Sequence, residues 1–263
     1  MEVHHHPQLE HKHKPWKEYL LEGLMIFLAV FMGFIAENVR EHIVEKNRVK
    51  DYVKEMVENL KYDTIRCNKN RERNERAMRG IDSLRVELKR AIAGDIDGNK
   101  LYYLTLRYSG EVNSAVFNTS AITELKSSGS LRLIDNQKLV AEISDYYERR
   151  ITATLEALPL ERIRVLKALN DEFFSLEYFD DLVAAADKTD NNFNTPYDYN
   201  HVLLMKPAPQ LLKTKPEDLR RLYNGVIQYE LALKNYDFFL NYVKQAAVPL
   251  MDDIRKGYDL KDE

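Results

Sequence analysis

The chain has 263 residues, a formal net charge of −3, 44% hydrophobic residues, and only nine glycines and eight prolines. This composition excludes collagen, low-complexity disorder and a polytopic membrane protein. The single cysteine excludes an internal disulfide framework and a cysteine-based metal cage. The low glycine and proline content, beside 31% charged residues, favours long helices over strands and turns.

The tail at residues 1–18 is rich in histidine. Five of the seven histidines of the chain fall within its first 13 residues. They are His4, His5, His6, His11 and His13. Because imidazole binds transition metals and titrates near neutral pH, one interpretation is a metal site or a pH-responsive patch. The other is a flexible basic tail that meets anionic lipid.

An apolar segment follows at 19–36, YLLEGLMIFLAVFMGFIA, with Glu22 as its one charged residue. As a helix it would be about 27 Å long, close to the hydrocarbon thickness of a bilayer. A signal peptide cleaved after Ala36 would need a small residue where Phe34 stands. A buried core helix also fits the run from Gly23 to Ala36. We favour an uncleaved, single-pass transmembrane helix.

Six residues from this segment and its end follow a 4-3-4-3-4 spacing and therefore share one helix face. They are Glu22, Ile26, Ala29, Gly33, Ala36 and Arg40. Ala29 and Gly33 form a small-xxx-small pair, which allows two helix backbones to approach closely. Glu22 either faces a partner within the membrane or, one turn from the end of the segment, reaches the headgroups. The pattern predicts self-association, or docking on another membrane span, through this face.

Residues 37–93 contain no proline and one glycine, and they predict one very long helix or two coaxial ones. Apolar residues at helical spacing form two stripes along this segment, and the second runs from Met78 to Ile92. The first stripe consists of Val53, Val57, Leu60, Thr64 and Cys67. Residues 66–76 are polar on every side, which predicts a solvent-bridging or poorly packed section. Cys67 is then either an exposed thiol or part of the stripe.

Residues 94–263 predict an elongated bundle of five or six helices. Helices are expected at 101–109, 113–128, 135–159 and 160–186, with Asp135 as the N-cap of the third. An irregular connection at 187–210 precedes a final helix that opens with a capping box, Thr214 to Glu217, and is bent by Pro249. The expected core is Leu125, Leu139, Ile143, Tyr146, Leu155, Ile163, Leu166, Phe173, Leu222, Val226, Leu233, Phe239 and Val243.

The sequence carries no glycine-rich phosphate loop and no nucleophile elbow. We therefore predict no catalytic site, no bound cofactor outside the histidine tail, and no enzymatic activity. Acidic residues interleave with the basic ones of the long helix, which argues against nucleic-acid binding. The predicted fold is all-α: one N-terminal transmembrane helix, continuing into a long helix and an elongated helical bundle. The expected partners are the lipid bilayer and either a second copy of the chain or another membrane protein.

Two stretches resemble a group of bacterial membrane proteins of unknown function. The first is HHHP followed by WKEYLLEGLMIFLAVFMGFIAENVREH, and the second is AITELKSSGSLRLIDNQKLVAEISDYYERR at 121–150. The resemblance covers about 60 residues and contains no catalytic motif. It implies a protein of the envelope of Gram-negative-type bacteria, with a native histidine tail and a single span in the inner membrane.

Three functions are consistent with these patterns. The first is a membrane-anchored helical scaffold or accessory subunit of an envelope complex that self-associates. The second is a sensor or transport-linked module whose histidine tail responds to metal or protons. The third is an oligomeric pore lined by Glu22.

The orientation in the membrane follows from the charged residues on the two sides of the span. Basic residues are nearly balanced across the span, but Glu37, Glu41 and Glu45 offset those that follow it. We therefore expect the N-terminus in the cytoplasm and the large domain in the periplasm.

Overall fold

The computed structural model describes residues 15–110, 112–179 and 200–260. Helices make up 83% of this structure. Its described residues contain no β-strand, only an isolated antiparallel bridge between Phe174 and Leu211. The prediction of an all-α fold with a long N-terminal helix is therefore confirmed.

The described residues contain eight α-helices. They are α1 (Trp16–Ile92), α2 (Gly98–Tyr108), α3 (Ser120–Ser127), α4 (Gln137–Ser144), α5 (Ile151–Glu156), α6 (Leu160–Phe173), α7 (Asn200–Leu204) and α8 (Pro216–Tyr258). Turns of 3-10 helix lie at Ser130–Leu133 and Leu176–Phe179. A π-helical segment, Asp145–Arg150, joins α4 to α5 without a break.

The first helix is a single element of 77 residues rather than two coaxial ones. It ends at Ile92, and the backbone then turns through Gly94, whose φ of +98° suits glycine. By its internal contacts the chain divides into two units, residues 1–51 and 52–263. The described part of the first unit is the beginning of α1, and the second unit contains the rest of α1 and all the other elements.

The core of the second unit lies where α1, α2, α6 and α8 pack together. It includes Ile81, Leu84, Leu88, Leu101, Tyr102, Leu166, Phe173, Leu222, Val226 and Leu233. Most of the predicted core is buried, but Leu155 is 41% exposed and Phe239 is half-buried. These two residues fit the helical spacing, yet they lie at the border of the buried face.

Gly80 allows α1 and α2 to come close. A Cβ atom at this position would lie 2.1 Å from Cγ of Tyr108, far inside van der Waals contact. The glycine in the middle of α1 is thus explained by the tyrosine ring that packs on it, although glycine weakens a helix interior.

Several predicted helix limits are wrong, for local reasons. The helix predicted at 113–128 begins only at Ser120, because residues 112–119 bind other elements through their backbone. The N-cap of α4 is Asn136 rather than Asp135, and its side chain accepts hydrogen bonds from the amides of Lys138 and Leu139 at 3.1 and 3.2 Å.

The limits near the C-terminus differ as well. Helix α6 ends at Phe173, and the later part of the predicted 160–186 helix includes a described 3-10 turn and then residues outside the described ranges. The connection expected to be irregular contains α7 in its described part. The predicted capping box is not formed, since α8 begins at Pro216 after Lys215, which makes no side-chain cap. Pro249 lies inside α8, which continues as a helix to Tyr258.

Candidate functional site

The face predicted on the apolar helix lies in the first unit. Its six residues all belong to α1 and all are exposed. They are Glu22, Ile26, Ala29, Gly33, Ala36 and Arg40. A Cβ atom added at Gly33 would meet no atom within 4 Å. Among the described residues this is the one helix long and apolar enough to cross a membrane, and none of its apolar window is buried.

Arg40, the last residue of this face, forms an ion pair with Glu37. Its Nη2 lies 2.5 Å from Oε1 of Glu37, and its Nε lies 3.0 Å from Oε2. The paired charge lowers the pKa of Glu37 and raises the pKa of Arg40. The two charges therefore compensate each other within the first turn after the apolar segment ends.

The five histidines proposed as metal ligands lie in residues 1–14, outside the described ranges. They are His4, His5, His6, His11 and His13. Among the residues that are described, no group of three or more histidine, cysteine, aspartate or glutamate side chains is placed to hold a metal ion.

The second unit carries an unbroken heptad seam along α1. Buried and half-buried residues recur at alternating spacings of three and four, the pattern of coiled-coil packing. The heptad seam consists of Val53, Met56, Leu60, Asp63, Cys67, Asn70, Asn74, Ala77, Ile81, Leu84, Leu88 and Ala91. The section predicted to be poorly packed is therefore part of a buried face, and that prediction is wrong. Thr64, assigned to the stripe from sequence, is only half-buried, and the seam passes through its neighbour Asp63.

Asp63 is a fully buried carboxylate with two hydrogen-bond donors. The hydroxyl of Tyr146 donates to Oδ2 at 2.9 Å, and the backbone amide of Asn118 donates to Oδ1 at 3.3 Å. Burial outweighs these two bonds and raises the pKa of Asp63 from 3.8 to about 6. The group thus titrates close to neutral pH inside the protein.

The π-helical segment brings two consecutive tyrosines to this carboxylate. Tyr146 and Tyr147 are both buried, with ring centroids 4.9 Å apart and the rings nearly perpendicular. In an α-helix adjacent side chains diverge by about 100°, and the wider π turn reduces that angle. Burial and the charge of Asp63 raise the pKa of both phenols. Within the described residues the Tyr147 hydroxyl has no hydrogen-bond partner.

The remaining polar members of the seam are only partly satisfied. Asn70 donates to the carbonyl of Arg66 at 3.0 Å, while its Oδ1 and the Nδ2 of Asn74 lack partners in the described structure. Burial and the nearby Asp63 raise the pKa of the Cys67 thiol to about 12. Cys67 is therefore a seam residue with an unreactive thiol, and the alternative of an exposed thiol is excluded.

Residues 112–119 have no regular secondary structure and contact both α1 and α8. Tyr236 of α8 accepts a hydrogen bond from the amide of Ala115 at 2.9 Å and donates one to the carbonyl of Asn113 at 3.2 Å. On α1, Asn59 accepts a bond from the side chain of Asn118 at 2.7 Å. The segment is thus held by α1 on one side and by α8 on the other, with Asp63 beneath it.

Long-range ion pairs join α1 to α8 at positions that follow Asp63 along α1. Arg71 binds Asp237 through Nε and Nη2 at 3.2 Å to Oδ2. Arg85 lies 2.9 Å from the buried carboxylate of Glu230, which also binds Lys234 at 2.5 Å. Such pairs fix the register of the two helices, because a one-turn slip would leave buried charges unpaired.

No protein-family model matches this chain, and no curated protein or solved structure matches it either. Function must therefore be inferred from the residues themselves.

The buried carboxylate is the feature that sequence reasoning missed. When only apolar residues are counted, the polar residues 66–76 do not look like part of a buried helix face. The spacing of these residues could have revealed the buried carboxylate. The polar positions continue the heptad seam beyond Leu60 with the same alternation of three and four, and they are Asp63, Cys67, Asn70 and Asn74.

Proposed function

We propose that this protein is a membrane-anchored helical scaffold, or an accessory subunit of a bacterial envelope complex, that assembles with copies of itself. The single observation that carries the proposal is the fully exposed apolar stretch of α1. Contiguous apolar surface of this size is unfavourable in water, so lipid or protein must cover it. A bilayer covers the outward sides, and the small-residue face is the side on which a second helix fits.

The geometry of that face supports self-association. Ala29 and Gly33 lie one turn apart, and nothing in the described chain occupies the space beside Gly33. In a bilayer, small residues let two helix backbones approach closely, and the resulting packing promotes helix–helix association. The ion pair of Glu37 with Arg40 follows immediately, so the end of the face carries little net charge into the interface.

Replacing Gly33 with Leu is expected to disrupt the assembly. The added side chain would separate the two backbones and remove the close packing on which the interface depends. We expect the full-length chain in mild detergent to shift from one oligomeric size to the monomer. The measurement is size-exclusion chromatography with light scattering.

The matched control is Gly23→Leu, which makes the same change in the same apolar helix. Gly23 also has no neighbour within 4 Å, but it is about 100° away from the small-residue face. The control should keep the wild-type size. If both variants retain the oligomer, or if the wild-type chain is monomeric, assembly through this face is wrong.

We place the single span in the inner membrane and the second unit in the periplasm. Cys67 cannot report this topology in the folded protein, because it is buried. A Ser127→Cys change in a Cys67→Ser background supplies an exposed thiol instead. A membrane-impermeant thiol reagent should label it once the outer membrane is permeable. Labelling only after lysis would place the domain in the cytoplasm.

A second function, as a proton-responsive module, is favoured by the buried Asp63. The groups that face it are Tyr146 and Tyr147 of the π-helical segment, Cys67 and Arg66 on α1, and the Asn118 amide. When Asp63 loses its proton, a negative charge appears among largely uncharged groups. Residues 112–119 would sense this charge, because the Asn118 amide donates a hydrogen bond to Asp63. Replacing Asp63 with Asn tests this function, since the variant keeps the shape and removes the proton site.

A further inference from the structure

The section of α1 at residues 37–51 belongs to the first unit and directly follows the apolar segment. Three of its apolar side chains are exposed, Val39 by 53%, Ile43 by 55% and Val44 by 43%. Exposed apolar residues that are scattered singly need no explanation, but these three lie close together on one helix. They form a small apolar patch if they lie on the same side of that helix.

The heptad repeat of the small-residue face continues through this section. Gly33 and Arg40 take position a of the repeat, and Ala36 takes position d between them. The same alternation of three and four places Ile43 at the next d position and Asn47 at the next a position. All of these residues are exposed. The face on which a second helix fits therefore extends for about two more turns beyond Arg40.

The positions that flank Ile43 in the repeat are apolar as well. Val39 takes position g and Val44 takes position e of the following heptad. Two copies anchored by the same span run parallel, and in a parallel pair position g of one helix contacts the following position e of the other. Val39 of one copy therefore meets Val44 of the second copy on both sides of the Ile43 pair. The apolar patch is thus complementary to itself.

The other side of this section is polar or already covered. Between residues 37 and 47 the positions b, c and f hold Asn38, Glu41, His42 and Glu45. Val49, at the next position c, is the first buried residue along α1, and it lies about 200° around the helix from Asn47. Packing within the chain therefore begins on the side away from Asn47 and leaves the a and d positions open.

The two polar residues at position a are compatible with a pair of helices. The charge of Arg40 is compensated within its own chain, because its Nη2 lies 2.5 Å from Oε1 of Glu37. Asn47 is exposed, and an asparagine at a single a position of a coiled coil fixes the register and the number of strands, at a cost in stability. Two asparagine amides pair across the axis of a two-stranded coil, so this position favours a dimer.

We propose that residues 39–47 of two copies of this chain form a short parallel coiled coil, the juxtamembrane zipper. Ile43 and Asn47 lie in its core, and Val39 of each copy packs against Val44 of the other. The zipper rests on the proposed assembly through the span, because so few heptad layers do not associate alone. It gives that assembly its copy number, two, and its parallel register.

Disulfide cross-linking in membranes tests the zipper, with single cysteines introduced into the full-length Cys67→Ser chain. Two facing cysteines form a disulfide only when their Cα atoms come within about 7 Å. We expect cross-linked dimers from Ile43→Cys, from Asn47→Cys and, within the apolar segment, from Ala36→Cys. Cysteines at positions b, c and f should give about tenfold less dimer, and these variants are Asn38→Cys, Glu41→Cys, His42→Cys and Glu45→Cys.

The pattern of cross-links separates the zipper from the assembly of the span. If Ala36→Cys forms dimers but Ile43→Cys and Asn47→Cys do not, the span assembles and the zipper is wrong. Equal yields on both sides of the helix would mean random collision, which also overturns the zipper. If no variant forms dimers, Ala36→Cys included, the zipper and the proposed assembly are both wrong.

The role of Asn47 is tested by Asn47→Ile, with Asn38→Ile at position f as the matched control. Both variants change an exposed asparagine of the same helix into isoleucine. An apolar residue at position a strengthens association but no longer restricts the number of strands. By light scattering of the full-length chain in mild detergent, we expect Asn47→Ile to dissociate at about tenfold lower concentration and to form trimers or tetramers beside dimers. The control should match the wild-type dimer. If Asn47→Ile behaves like the control, or if the wild-type assembly is not a dimer, the zipper is wrong.

Discussion

Replacing Asp63 with Asn is expected to stabilise the protein by up to about 3 kcal/mol at neutral pH. The folded state raises the pKa of this carboxyl from 3.8 to about 6, and each pKa unit corresponds to about 1.4 kcal/mol. Between these two pH values the folded state binds more protons than the unfolded state. The free energy of unfolding therefore falls as pH rises through this window and stays low above it.

The measurement is the difference in unfolding free energy between Asp63→Asn and wild type, from urea unfolding of full-length chains in detergent at a series of pH values. The difference should be near zero at pH 4 and grow to its full value by pH 7. Subtraction cancels the other titrating groups, which are common to both proteins. A variant that is less stable than wild type at every pH would mean that the Tyr146 and Asn118 bonds compensate the buried charge.

A buried carboxylate whose pKa is raised by burial is a candidate functional group. If the domain responds to protons, residues 112–119 are the element that reports the change, because their backbone binds Asp63 directly. The asparagine variant should then abolish the response without unfolding the domain.

Replacing Gly80 with Ala is expected to destabilise the protein by about 2–4 kcal/mol. Helix propensity alone predicts the opposite, a gain of about 1 kcal/mol. The contact with Tyr108 makes the net effect on the free energy of unfolding destabilising. The new Cβ would lie 2.1 Å from Cγ of the ring, and this atom is not at the flexible end of the side chain. Urea unfolding of the full-length chain measures the change.

Gly257→Ala in α8 is the matched control. Its Cβ would lie 3.7 Å from Leu139, which is ordinary contact, so the control should gain up to about 1 kcal/mol. In a Tyr108→Ala background the cost of Gly80→Ala should largely disappear. If Gly80→Ala still destabilises the protein in the Tyr108→Ala background, the strain does not come from the contact between α1 and α2.

The sequence is sufficient for the fold class because periodicity and composition act locally. The long helix follows from the absence of proline at 37–93, and most of the core follows from apolar spacing. The apolar helix segment at 19–36 is equally evident, since it is an 18-residue run with one charged residue, Glu22. These features depend on neighbouring residues and not on tertiary contacts.

The features that sequence reasoning misses depend on distant partners. Asp63 looks like a solvated residue until Tyr146, 83 positions later, meets it across the bundle. The sequence predicts a helix from residue 113, but hydrogen bonds to Tyr236 and Asn59 hold residues 112–119 outside any helix. The adjacent burial of Tyr146 and Tyr147 requires a π turn that no periodicity rule anticipates.

Alkaline extraction of membranes from cells that express the full-length chain tests whether the apolar part of α1 resides in lipid. We expect the protein to stay in the membrane pellet after the wash. A variant with Met25→Arg and Val30→Arg should be lost from the pellet, because each arginine costs about 2.5–3.5 kcal/mol at the centre of a span. Recovery of the unaltered chain in the aqueous supernatant, without detergent, would show that this part of α1 does not reside in lipid.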